Sequence, residues 1–117
     1  MDVVIYYSGL FMLTTQGKIT IGEVIKIIVD QYGPVEKILL FGSQAKGNAD
    51  KYSDFDLIII KKTSKRFVER MVEVPPLPVH ADIFVYTPEE FEQMKENENP
   101  FIMSVLESAK VIYEHGK

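Results

Sequence analysis

Gly42-Ser43, ten intervening residues and then Asp54-Phe55-Asp56 form the part of the sequence equipped to do chemistry. Two carboxylates spaced i, i+2 on one strand face repel each other and lose hydration where the fold partly buries them. The pattern therefore calls for a positively charged partner. A third carboxylate, Asp82, stands in the middle of the apolar run VHADIFVY. On an extended chain Asp54 and Asp56 have Cα atoms about 6.6 Å apart, from where each can reach one of two metal ions spaced about 3.5–4 Å apart. Magnesium takes oxygen ligands and completes its shell with water and substrate phosphates. Gly42 lets the backbone approach a phosphate, and the Ser43 hydroxyl and the amides after it can hydrogen-bond the phosphate oxygens. Three carboxylates, magnesium and a phosphate cradle are the parts of a phosphoryl- or nucleotidyl-transfer site.

Other readings of these residues are weaker. SDFD also suits a solvated turn before a strand, and Asp82 an exposed strand position. Ser43 as a covalent nucleophile lacks a histidine near it in sequence and a G-x-S-x-G elbow. His80 shares the strand alternation of Asp82 and reads as a partly exposed strand residue. Lys61 and Lys62 read as a solvated strand end rather than phosphate ligands, and His115 as tail.

The elements that must position these groups follow from periodicity and caps. Ile21, Val24, Ile25, Ile28 and Tyr32 fall at helical spacing, Thr20 and Glu23 make a capping-box pair, and Gly33-Pro34 supplies the stop, so a helix is predicted over about 21–32. EKILLF reads as a buried strand ending at Phe41, and DFDLIII as a second. A short helix is expected around 64–73 on Phe67, Val68, Met71 and Val72, broken by the prolines of PPLP. VHADIFVY is the third strand. Thr87 caps the next helix, with Pro88 at its first position and Glu90 completing a capping box. Asn99-Pro100 starts the last helix, with Phe101, Ile102, Val105, Leu106 and Ala109 facing inward, and KVIYE closes as a short edge strand. Residues 1–18, apolar on both faces, read as a strand or a docking segment, with Met12 as a second candidate start.

The loop between the first two strands is too short for a helical crossover, which makes them antiparallel neighbours. The helix between the second and third favours a parallel, right-handed return. Asp82 then enters near the same sheet end as Gly42, Ser43, Asp54 and Asp56. Alternation puts His80, Asp82 and Phe84 on one face and Ala81, Ile83 and Val85 on the other.

A chain of 117 residues fits one domain, 1–117, with 1–18 as an N-terminal extension. Composition is 46% hydrophobic and 26% charged, that of a protein with a real core, and the formal net charge is −4. An acidic chain lacks the basic face that a general nucleic-acid binder needs, but it accommodates a nucleotide that brings its own metal. There is no cysteine, which excludes disulfides and thiolate metal sites. The apolar start is too short to span a bilayer and has no basic flank, so the expectation is a cytoplasmic protein without a membrane partner.

The GS at 42–43 and DFD at 54–56, at this spacing, resemble the signature of the DNA-polymerase-beta-like nucleotidyltransferase superfamily. Within it the chain looks most like the minimal nucleotidyltransferases, short chains paired in prokaryotic genomes with a HEPN (higher eukaryotes and prokaryotes nucleotide-binding) protein. The resemblance covers about residues 20–114. It departs locally at Lys46, where relatives commonly carry arginine; the positive charge is kept and the bidentate fork is lost. The resemblance implies a nucleotidyltransferase fold of α/β (α+β) class, with helices packed on a small mixed sheet. It implies that Gly42, Ser43 and Lys46 hold the triphosphate of ATP or another nucleoside triphosphate. Asp54 and Asp56 would bind two magnesium ions, and Asp82 would be the third carboxylate, on the side of the attacking hydroxyl. Larger relatives bind the acceptor with an added domain that is not seen here, so the acceptor is expected on a partner, on a second copy in a homo-oligomer, or to be very small. The resulting expectation is an antitoxin that transfers AMP to a hydroxyl of a HEPN-type toxin. The alternatives are an antitoxin that acts by binding alone and a stand-alone transferase for small molecules.

Overall fold

The first helix, α1 (Ile21–Tyr32), forms where the apolar spacing requires it: Ile21, Val24, Ile25, Ile28 and Tyr32 are all buried. Each such side chain contributes about 1.5–3 kcal/mol relative to exposure. The structure, a computed structural model, describes residues 3–5, 11–14, 17–42, 45 and 55–115. The Thr20–Glu23 capping pair depends on a side chain outside this description.

Before α1 come strands β1 (Val3–Ile5), β2 (Phe11–Thr14) and β3 (Gly17–Thr20); after it come β4 (Lys37–Phe41) and β5 (Phe55–Ile60). Helix α2 (Phe67–Glu73), strand β6 (Ala81–Tyr86), helices α3 (Pro88–Glu96) and α4 (Pro100–Ser108) and strand β7 (Lys110–His115) complete the order. Five strands make one mixed sheet in the order β1-β7-β4-β5-β6, while β2 and β3 pair separately. β4 and β5 are antiparallel, from Lys37↔Ile60 to Phe41↔Asp56. β5 and β6 are parallel, from Phe55↔Ala81 to Ile60↔Tyr86. Both pairings follow from the connection lengths.

The sheet is covered on both faces. On one, α1 packs on Ile38 and Leu40, on Phe55, Leu57 and Ile59, and on Ile83 and Val85. On the other, Phe91 of α3 and Ile102 and Val105 of α4 pack on Leu39, Ile58 and Ile60. Continuous apolar runs in β4 and β5 are what a sheet buried on two sides demands. The caps of α3 are those expected: Thr87 Oγ1 accepts from the Glu90 N–H at 3.1 Å, and Glu90 Oε1 accepts from the Thr87 N–H at 2.9 Å. At α4, Asn99 Oδ1 accepts from the Phe101 and Ile102 amides at 2.9 and 3.2 Å.

Three expectations need correction. β7 is not an edge strand: it lies between β1 and β4, and β1 takes the edge. Phe101 and Leu106 are exposed rather than buried: Ile102 and Val105 are the residues that α4 buries in the core of this face, while Phe101 touches the sheet at its margin, against Phe41 and Phe84. Helix α2 begins at Phe67 and turns its apolar residues outward; Phe67, Val68, Met71 and Val72 are exposed, and its buried residue is Arg70.

Candidate active site

The end of β4 and the starts of β5 and β6 meet at one edge of the α3/α4 face. Phe41 closes β4 opposite Asp56, and Asp56 is in register with Asp82 across the parallel pair. Neighbouring strands run about 4.8 Å apart, so these carboxylate-bearing residues stand side by side. Asp56 is half-buried and Asp82 exposed. Both alternate with residues of the α3/α4 face, Asp56 with Ile58 and Asp82 with Phe84.

Gly42 follows at the strand end with φ +76°, in the left-handed region that side chains disfavour. A Cβ here would lie 2.3 Å from Asp56 Oδ2. The turn therefore favours glycine, and a side chain added here would also displace the Asp56 carboxylate. Of the residues the sequence singled out, the structure brings together Gly42, Asp56 and Asp82; Ser43, Lys46 and Asp54 lie outside the described residues. Among the described residues no group of three or more His, Cys, Asp or Glu is placed to hold a metal ion.

The other polar candidates lie elsewhere or serve the fold. Lys61 follows β5 at the end away from Asp56. Its Nζ donates to the Tyr32 carbonyl at 2.7 Å and lies 3.7 Å from the Tyr32 ring centroid, so it caps the C-terminus of α1. Burial pushes its ammonium pKa below the usual value. Lys62 and His80 are exposed, and the His80 carbonyl accepts from the Phe55 amide at 3.0 Å.

Sequence reasoning missed the surroundings of the carboxylate pair. Phe41, Phe84 and Phe101 are in mutual ring contact on its face, with centroids 5.1–6.4 Å apart. The available signal was the placement of Phe84 on the face of Asp82; that Phe101 reaches both other rings depends on how α4 crosses the sheet.

Residues 23–117 match the family described as Polymerase beta, Nucleotidyltransferase. The chain belongs to this family. By family it is thus a nucleotidyltransferase, and its fold is found in solved structures. A crystal structure described as that of a putative nucleotidyltransferase from Sulfolobus solfataricus superposes with a TM-score of 0.52 at 19% identity, over 76% of this chain and 72% of the other. A toxin–antitoxin crystal structure with AMP-PNP gives 0.51 at 16% identity, over 78% and 70%. At these identities the likeness concerns the fold. The probable protein adenylyltransferase MntA of Haemophilus influenzae (strain ATCC 51907 / DSM 11121 / KW20 / Rd) is 43% identical to this nucleotidyltransferase over 47 residues. That match covers 40% of this chain and 41% of MntA. No helix among the described residues is long and apolar enough to cross a membrane.

Proposed function

We propose that this nucleotidyltransferase is a magnesium-dependent, cytoplasmic protein adenylyltransferase that moves AMP from ATP to a hydroxyl of a partner protein, as the antitoxin of a HEPN-type toxin–antitoxin pair. The observation that carries the reading is the in-register pair Asp56↔Asp82 with Gly42 packed against Asp56. Two carboxylates side by side at the mouths of neighbouring strands repel each other, and a divalent cation held between them offsets that repulsion. The donor set fits the metal: carboxylate oxygens suit a hard divalent ion, and the chain has no cysteine to favour a softer one. Support for the acceptor class comes from the likeness to MntA and to the toxin–antitoxin structure with AMP-PNP.

In this reading Asp54, Asp56 and Asp82 hold the metal, two ions in the full site, and Gly42, Ser43 and Lys46 hold the triphosphate. Magnesium, when bound, lowers the pKa of the acceptor hydroxyl and offsets charge on the phosphates. Asp82, the exposed carboxylate, faces the incoming acceptor and takes the hydroxyl proton. The acceptor oxygen bonds to the α-phosphorus as the α–β bridging bond breaks, and pyrophosphate leaves over Gly42 and Ser43. The test is mass spectrometry of the cognate toxin after incubation with this protein, ATP and magnesium. A toxin heavier by one AMP, and unchanged when chelator is present, is the expected result. An unmodified toxin that is nonetheless neutralised sinks the enzymatic reading.

A further inference from the structure

Beside the carboxylates the three phenylalanine rings make a continuous wall. Phe41 is the cross-strand partner of Asp56, a position that brings Cβ atoms to about 4.5–5.5 Å, and it directly precedes Gly42. Phe84 is two residues beyond Asp82 on the same face. The Phe41 and Phe84 centroids are 6.4 Å apart. Phe101 stands edge-on to Phe41 at 5.9 Å and tilted on Phe84 at 5.1 Å. The buried core of this face is made by other residues, Ile58, Ile102 and Val105 among them, while Phe101 stays 37% exposed. A partly exposed ring held in place by contact with two others is a rigid stacking surface.

We infer that this wall is the nucleobase platform of the transfer site, with Phe101 the ring on which the base of the nucleoside triphosphate stacks. The inference rests on the functional reading above: with the triphosphate at Gly42, the base lies one ribose beyond the α-phosphate, and the apolar surface adjoining the cradle begins at Phe41. The acceptor is left the side of the exposed Asp82. Every base has a π-face, so such a platform senses that a base is present more than which base it is.

The test titrates wild type, Phe101→Ala, Phe101→Leu and Phe101→Trp with magnesium and three probes: α,β-methylene-ATP, its guanine counterpart and inorganic tripolyphosphate. Phe101→Ala is expected to weaken both nucleotide analogues about tenfold while tripolyphosphate changes by less than about twofold, since only the base loses its stack. Phe101→Trp should restore binding and Phe101→Leu should not. The base protons of the analogue should move upfield in NMR spectra on binding to wild type and not to Phe101→Leu. Unchanged analogue affinity in Phe101→Ala, with wild type binding all three probes, overturns the platform and leaves the functional reading standing. Equal loss for analogue and tripolyphosphate also overturns it, by showing that Phe101 shapes the cradle. Wild type that binds none of the probes removes the functional reading and the platform together.

Discussion

At Gly42 the backbone and the site make the same demand. Its φ of +76° costs a side-chain-bearing residue about 1–2 kcal/mol, and its missing Cβ is the space that Asp56 Oδ2 occupies. The carboxylate can rotate away from an added methyl group, but only by leaving its place. Gly42→Ala should therefore lower stability by about 1–2 kcal/mol and reduce transfer by far more than the unfolded fraction explains. Chemical denaturation beside a transfer assay separates the two, and activity that merely tracks stability would show that the contact with Asp56 is idle. Asp82 allows a different separation. It is exposed and in register with Asp56, so Asp82→Asn removes the proposed proton acceptor while leaving Gly42 and Asp56 in place. Nucleotide–magnesium binding should survive within about tenfold, or about 1.4 kcal/mol, while transfer falls about 10²- to 10⁴-fold. Transfer at the wild-type rate would reduce Asp82 to an ordinary strand residue.

Helix α2 is held by its one charged residue that points inward. Arg70, 6% exposed, donates from Nε to the Lys65 carbonyl at 2.7 Å and from Nη1 to the Val85 carbonyl at 3.2 Å. Its fork grips Glu90 at 2.7 and 3.0 Å, and its own carbonyl accepts from the Tyr32 hydroxyl at 2.9 Å. One guanidinium thus ties α2 to β6 and to the start of α3, where Glu90 also closes the cap. The Arg70 bond, with help from Thr87, holds the Glu90 carboxyl below its usual pKa of 4.5. A depressed folded-state pKa gives stability that is present above about pH 4.5 and lost as pH falls through the lower folded value. Glu90→Gln keeps the cap geometry and removes the charge. It should cost about 1–2 kcal/mol at pH 7, discounted because the Glu90 side chain is 43% exposed, and it should flatten the acid limb of stability against pH. An acid limb as steep as wild type's would show that other carboxylates set it. This helix also shows where sequence reading fails. The spacing of Phe67, Val68, Met71 and Val72 defines a face but not its direction, and the direction is decided by Arg70 finding a carbonyl and a carboxylate fifteen and twenty residues on. Where local signals suffice, as in the five inward residues of α1 or the Thr87–Glu90 box, expectation and structure agree. The placement of Gly42, Asp56 and Asp82 at one end of the sheet was legible because turn chemistry, strand alternation and the lengths of the connections are read locally too.

The order β1-β7-β4-β5-β6 separates two halves of the molecule. The candidate site spans β4, β5 and β6, and β1 lies at the opposite edge, where among the described residues it pairs with β7 alone. Strand order is a property of contacts distant in sequence, which is why KVIYE reads as an edge when it is interior. The position of β1 suits it to covering the sheet edge rather than to serving the site. Its pairing with β7, from Val3↔His115 to Ile5↔Tyr113, covers backbone groups that would otherwise face outward. An uncovered strand edge is a template for another chain. Removing residues 1–9 should leave binding of α,β-methylene-ATP within about twofold, because no strand of the site borders β1. It should cost about 1–3 kcal/mol for the lost ladder bonds and raise the mass in solution with concentration, as β7 pairs with β7 of a second copy. Light scattering on the eluting protein, with calorimetric titration of the same fractions, measures both. A strictly monomeric truncated protein would show that β7 needs no cover, and loss of nucleotide binding would mean that the two halves of the sheet are mechanically coupled through β4.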